Sequence, residues 1–207
     1  MEKSHLYRWR KDSQIRPYGY FIYIKDLNNN KLWSTTYEPT KVYPEKYEVK
    51  YTDYKAFFYR KDGDIESEMN IVLFPEGNGE IRKVTLLNNS SMDALLEISS
   101  FAEITIDSYE ADLAHTVFNN LFIKTELLDN GVLLGNRRNI DKEKDSPWIV
   151  HSLVSDELEE GSYQYETSRT NFIGRGNDLS NPQGVNRELT NTVGAVLDPI
   201  MSLRKRI

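Results

Sequence analysis

The stretch Ala94-Leu95-Leu96-Glu97-Ile98-Ser99-Ser100-Phe101-Ala102-Glu103-Ile104-Thr105-Ile106 decides the fold. Leu96, Ile98, Ala102, Ile104 and Ile106 alternate with Glu97, Ser99, Glu103 and Thr105, a period of two that puts one set on each face of an extended chain. A helix would scatter these apolar residues around its axis over the same length. The pattern predicts one long strand with an apolar face against a core.

Outward from this strand, β-branched and aromatic runs recur between clusters of Asn, Asp and Gly, the spacing of an all-β sandwich. On the N-terminal side, Tyr18 to Ile24 reads as a strand, Asp26-Leu27-Asn28-Asn29-Asn30 as a turn and Lys31 to Thr36 as the return of a hairpin. Tyr47 to Tyr51, Tyr54 to Arg60, Ile65 to Phe74 and Ile81 to Leu87 follow, with Asp62-Gly63 and Glu76-Gly77-Asn78-Gly79 as turns. On the C-terminal side, Asp107 to Asn119 breaks the alternation and reads as a long loop or short helix. Strands are then predicted at Leu121 to Leu127, Val132 to Arg138, Trp148 to Val154, Tyr163 to Ser168 and Thr192 to Leu197. Asn139 to Pro147 is a charged, solvent-facing connection, and no internal repeat or linker divides the chain into two cores.

The composition narrows the function classes. The 207 residues suit one domain at the upper end of the usual size, and 39% hydrophobic with 28% charged residues is globular. Thirteen Tyr carry most of the aromatic surface, so that surface keeps a polar handle. No run approaches the roughly 20 apolar residues of a membrane span, and no apolar core follows Met1-Glu2-Lys3-Ser4-His5 to make a signal peptide. The absence of Cys excludes a disulfide framework, thiolate zinc sites and cysteine nucleophiles, and fits a reducing, cytoplasmic compartment. A net charge of −6 argues against nucleic acid as a partner. Arg8-Trp9-Arg10-Lys11 and Arg204-Lys205-Arg206 then read as solvated basic ends.

Motifs for chemistry are thin. Glu66 and Glu68 share a strand face about 6.5 to 7 Å apart, a separation that suits an inverting glycosidase but is common on exposed strands. Asp26-x-Asn28-x-Asn30 opens like a calcium loop, yet Lys31 stands where Gly is needed and Tyr37 where a bidentate Glu is needed. His5, His115 and His151 are scattered, so no metal site is expected. Gly174-Arg175-Gly176 is half of a phosphate-cradling loop, without the remaining glycines or a following helix. No cofactor is implied. Asn88-Asn89-Ser90-Ser91 is read as a turn. The strongest candidates are Trp33, Trp148, Arg137, Arg138 and Arg175, because aromatic faces pack on sugar C–H faces and arginine forks bind hydroxyls or phosphate. Arg137-Arg138 closes one predicted strand and Trp148 opens the next, so pairing of the two would gather them at one end of the sandwich.

Whole segments resemble a known family. Trp33-Ser34-Thr35-Thr36 with Pro39-Thr40, Gly79 to Leu86, Ser100-Phe101-Ala102-Glu103, Ala114 to Asn119, Arg137-Arg138, Trp148 with His151, Phe172-Ile173-Gly174-Arg175-Gly176 and Thr192 to Ile200 occur in the order of the β-sandwich of glycoside hydrolase family 94, formerly glycosyltransferase family 36. The likeness runs from about Tyr18 to the end and is nearest to cyclic β-1,2-glucan synthases and β-1,2-oligoglucan phosphorylases. One departure is Thr116-Val117 after His115, where relatives tend to carry Pro-Ala.

The resemblance implies an all-β, galactose-mutarotase-like supersandwich over residues 18–207 behind an N-terminal segment, 1–17. It also implies C-terminal strands beyond this chain and a catalytic (α/α)6 barrel that the chain does not contain. The chain so reads as a fragment, with no catalytic residue of its own. The implied function is a non-catalytic carbohydrate-binding and scaffolding module of a β-glucan phosphorylase or cyclic β-1,2-glucan synthase. Its partners would be a β-glucan oligosaccharide and the (α/α)6 domain, with open strand edges favouring a homo-oligomer. Its place would be the cytoplasm or the cytoplasmic part of a membrane-associated parent. Arg137, Arg138, Arg175, Trp33, Trp148 and His151 are the expected ligand or interdomain contacts. The alternative is a stand-alone mutarotase-like aldose epimerase or sugar-binding protein; the epimerase would need a His base and a carboxylate acid in one cleft.

Overall fold

The computed structural model describes residues 5–10, 17–138, 146–156 and 163–207. In chain order the first strands are β1 (His5–Tyr7), β2 (Tyr20–Asp26), β3 (Lys31–Ser34), β4 (Lys46–Tyr51), β5 (Lys55–Asp62), β6 (Ile65–Leu73), β7 (Glu80–Asn88) and β8 (Leu96–Asp107). Helix α1 (Tyr109–Asn120) leads to β9 (Ile123–Leu127), β10 (Leu133–Arg137), β11 (Trp148–His151) and β12 (Gln164–Ser168). Helix α2 (Arg169–Ile173), a short 3-10 turn at Gln183–Val185 and β13 (Pro199–Arg206) complete the described elements.

All pairings are antiparallel, and they build three sheets. The central sheet has the order β12-β13-β8-β2-β3, with β1 on the C-terminal end of β8. A sheet of order β4-β5-β6-β7 and a sheet of order β11-β10-β9 complete the set. The expectation of an all-β sandwich holds, and the decisive stretch is the strand that pairs with β13, β2 and β1.

The alternation in β8 has a consequence its sequence does not announce, because both faces are covered. Ile104 and Ile106 pack with Ile123, Leu133, Ile149, Met201 and Leu203 under the three-stranded sheet. Leu96 packs with Ile24, Trp33 and Ile65 toward the four-stranded sheet. On the opposite face Phe101 joins Phe21, Tyr23, Phe172, Leu179, Val185 and Ile200, capped by the segment that carries α2 and the 3-10 turn. Glu97, Ser99, Glu103 and Thr105 share that face and are buried with it. Four polar side chains in a core need partners, since an unpaired buried polar group costs about 1–3 kcal/mol and a charge more.

Local chemistry fixes the turns. The Asp26 carboxylate accepts the Asn28 and Asn29 amides at 2.8 and 3.1 Å, so Asp26 to Asn30 is the expected hairpin turn. Gly63 takes φ +65° in the β5–β6 turn, a region L side chains avoid. The stretch after β8 is a helix: Ser108 caps it by accepting from the Ala111 amide, and Glu110 and Asp112 sit in its first turn. The backbone leaves helical geometry at His115 (φ −142°, ψ 51°), the residue before Thr116-Val117.

Two expectations fail at the C-terminal end. Thr192 to Leu197 is no strand; only Gly194 forms a bridge, to Thr125, and Asn191 and Gly194 take positive φ that interrupts extended pairing. The strand is instead the eight-residue β13, whose Arg204-Lys205-Arg206 was read as a solvated end. Arg204 is buried: its guanidinium donates to Ser99 Oγ at 3.0 Å and to the carbonyls of Arg187 and Gly184. Arg206 donates to Glu97 at 2.6 Å.

The three-stranded sheet approaches the central one closely at Gly135. A Cβ there would stand 2.7 Å from Met201 Cε and 2.8 Å from Ile149 Cγ2. Gly135→Ala is expected to cost about 1–3 kcal/mol by overpacking. Urea unfolding of the variant checks this, and a midpoint equal to that of the parent chain would refute it.

Candidate functional site

Glu103, toward the C-terminal end of the capped face of β8, gathers charged partners from distant parts of the chain. The Arg8 amide donates to the Glu103 carbonyl at 2.9 Å, and that register sets the Arg8 side chain beside the Glu103 carboxylate. Arg8 Nη1 donates to Glu103 Oε2 at 3.1 Å, and Nη2 donates to Asn120 Oδ1 at 2.8 Å, with both charged side chains almost fully buried. From the other side Arg169, first residue of α2, donates Nε to Glu103 Oε1 at 2.8 Å. Glu103 is therefore clamped between two guanidinium groups, the arrangement that makes a buried carboxylate tolerable.

The network extends into α1 and the segment before β13. Arg10 donates to the Asp112 carboxylate and, at 3.1 Å, to Thr116 Oγ1. Asp198 accepts from Asn120 Nδ2 at 3.0 Å, and its backbone carbonyl accepts the Arg169 amide at 2.9 Å. Burial pushes the Asp198 carboxyl above its ordinary pKa, against the pull of Arg169.

Two clefts open over this network. One, of about 310 Å³, runs past Pro17, Pro39, Lys41, Asn177 and Asp178. The other, of about 400 Å³, runs past Arg10, Thr116, Val117, Leu197 and Asp198. They share Tyr18, Glu103 and Arg169, and so form one groove. Among the described residues its lining cations are Arg8, Arg10, Lys41 and Arg169, set against Glu103, Asp178 and Asp198 with Asp112 behind Arg10, so the described positive and negative groups balance. Such a surface offers both donors and acceptors without a net field. No histidine lines it, and no group of His, Asp and Glu suited to a metal ion occurs among the described residues.

The residues expected from the sequence lie elsewhere. Asn136 pairs with Trp148 across β10 and β11, which brings Arg137, Arg138 and Trp148 to one end of the three-stranded sheet. Arg137 is paired with Asp107 at 3.0 Å and lies 5.3 Å from the Phe122 ring centroid, so it ties this sheet to the end of β8. Arg138 donates to the Leu121 carbonyl at 2.8 Å. Trp148 is exposed. Arg175 is exposed in the turn after α2, away from that end. Trp33 is a core residue, and His151 is buried with Nε2 2.8 Å from Ser100 Oγ. Glu66 accepts from Asn89 on the exposed face of the four-stranded sheet, away from the groove.

Sequence reasoning missed the groove because its parts are 190 positions apart, from Arg8 to Asp198. The available signal was Glu103 beside Phe101 and Ala102 in the middle of a long strand, a charge that demands partners if that face is covered.

The family described as glycosyl hydrolase 94, supersandwich domain, matches residues 1–207. The chain belongs to that family. It is 34% identical over 201 residues to the cyclic beta-(1,2)-glucan synthase NdvB of Rhizobium meliloti (strain 1021), covering 96% of this chain and 7% of that protein. It is 22% identical over 195 residues to the solabiose phosphorylase of Paenibacillus borealis, covering 92% of this chain and 24% of that protein. The chain thus spans only a small share of each relative. The resemblance read from the motifs is confirmed, and with it the supersandwich assignment. No helix among the described residues is long and apolar enough to cross a membrane.

Proposed function

We propose that this glycosyl hydrolase 94 supersandwich domain is a non-catalytic carbohydrate-binding and scaffolding module of a β-glucan phosphorylase or cyclic β-1,2-glucan synthase. The observation that carries the reading is the groove over Glu103: concave, charge-balanced and built on buried ion pairs. A neutral, hydroxyl-rich ligand suits such a surface better than an anion or a cation, each of which meets repulsion from half of the lining. The names of both relatives refer to sugar-processing enzymes, which supports a glycan as the ligand.

The scaffolding half concerns the outer face of α1. Leu113, Val117 and Phe118 are exposed there, Phe118 stacks edge-on with Phe122, and Arg137 lies against Phe122. Trp148 and Val150 are exposed on β11 nearby in the same sheet. Exposed apolar surface of this kind marks interaction sites. The occupant we assign is the helical (α/α)6 domain of the parent, since most of each relative's length lies outside the matched region. The epimerase alternative has no support at the groove, where no histidine stands to act as base among the described residues.

The test is direct. The purified chain is expected to bind β-1,2-linked gluco-oligosaccharides in calorimetry and to release no glucose 1-phosphate from them in the presence of phosphate. Turnover above the buffer rate, or no heat of binding at millimolar sugar, would overturn the reading.

A further inference from the structure

Arg169 lines both clefts and Asp198 the second, and the two stand side by side with hydrogen-bonding capacity left over among the described residues. Arg169 uses Nε on Glu103, and its Nη1 lies 3.8 Å from Asp198 Oδ2, too far for a hydrogen bond. Asp198 accepts from Asn120 through Oδ1, with Arg8 Nη1 3.8 Å from the same oxygen, and among the described residues Oδ2 makes no hydrogen bond. Both side chains are partly open, 28% for Arg169 and 33% for Asp198, and both line the second cleft. Tyr18, which lines both clefts, adds an aromatic ring beside them.

We propose that the Arg169–Asp198 pair, with Tyr18 beside it, is a sugar subsite that binds the vicinal hydroxyls of a glucose unit in a neutral β-linked glucan. The proposal rests on the carbohydrate-binding reading and names the site and ligand chemistry within it. A hydroxyl is one donor and two acceptors, so adjacent hydroxyls can accept from the guanidinium fork and donate to the carboxylate at once. A hydroxyl set beside the pair, off the line that joins Nη1 and Oδ2, can reach both at hydrogen-bonding distance. The apolar C–H face of the ring then has the Tyr18 ring to pack on.

Two features hold the pair ready. The Arg169 amide donates to the Asp198 carbonyl, which couples the two backbones, and Glu103 fixes the guanidinium from behind. A subsite whose side chains are already immobilised loses less entropy on binding. Burial, which raises the Asp198 pKa, also deprives its carboxylate of water that a ligand hydroxyl replaces. Phosphate would face both Asp198 and Glu103, and a bare cation would face Arg8, Arg10 and Arg169.

The experiment titrates the chain with a β-1,2-linked glucose disaccharide and, separately, with inorganic phosphate, using NMR and calorimetry. Asp198→Asn keeps the shape and removes the charged acceptor; Arg169→Lys keeps the charge and removes the fork. Each is expected to weaken disaccharide binding about tenfold while the fold persists, as the loss of one charged hydrogen bond implies. If Arg169→Lys fails to fold, Asp198→Asn decides the matter alone. Disaccharide binding that both variants leave unchanged would overturn the subsite and leave the carbohydrate-binding reading standing. Absence of disaccharide binding by the parent chain would overturn both. Phosphate binding tighter than disaccharide binding, lost in Arg169→Lys, would replace the sugar subsite with an anion site.

Discussion

Arg60→Ala is expected to lower stability by about 3–5 kcal/mol, the cost of removing one partner from a buried ion pair. Arg60 has no exposed surface although it is charged, and it lies on β5 beneath the segment between β3 and β4. Its Nε and Nη2 donate to the two oxygens of Asp62, both at 2.6 Å. Nη1 donates to the Thr36 carbonyl at 2.9 Å and Nη2 to the Val42 carbonyl at 3.2 Å. One guanidinium thus satisfies a carboxylate and two carbonyls that no strand pairs. In a chain of this size 1 kcal/mol moves the melting temperature by roughly 2–4 °C, so a fall of about 6–20 °C is expected. Arg60→Lys, which keeps charge but not the fork, should fall between the two. A melting temperature of Arg60→Ala within about 2 °C of the parent would show that water replaces the guanidinium without loss.

Arg60 also marks a boundary of what the sequence revealed. β6 was legible because polar and apolar residues alternate along it, a direct image of the pleat, and β2 because it is a run of aromatic and β-branched residues that the fold buries on both faces. β13 was not legible, since its Arg204 is buried while Arg206 stays exposed and pairs with Glu97, and only three-dimensional neighbours distinguish a buried arginine from a solvated tail. The same blindness hid the groove: Arg8 looked like part of a basic end, and Glu103 like the polar side of a strand. Motif order carried the family where periodicity could not, and it included the charged groove residues Glu103 and Asp198 without showing that they line one groove. Trp33 was chosen for chemical type and His151 through the family resemblance, and both lie in the interior.

His151 supplies the second large effect, a loss of stability on acidification. Its ring is buried against Tyr20 at 5.5 Å between centroids and lies within hydrogen-bonding distance of Ser100, whose Oγ also accepts the Leu203 amide at 2.9 Å. Burial lowers its pKa to about 4, and the Arg82 guanidinium, stacked 4.1 Å from the Tyr20 ring centroid, pushes in the same direction. The folded protein therefore holds a neutral imidazole that the unfolded chain protonates below about pH 6.5. Above pH 6.5 the two states bind the same number of protons at this site and stability is unaffected. As pH falls from 6.5 toward 4 the unfolded state gains a proton first, so stability is lost across that window. The gap between 6.5 and about 4 corresponds to about 3 kcal/mol at one unit per 1.36 kcal/mol. His151→Gln removes the titration and retains a hydrogen-bonding group for Ser100. Urea unfolding at pH 7 and pH 4.5 should show the parent chain losing about 2–3 kcal/mol more than His151→Gln on acidification. Carboxylates titrate in both proteins and cancel in that difference, which isolates the imidazole. Equal losses in the two would mean that His151 reaches water without unfolding the sandwich and is free to be charged there.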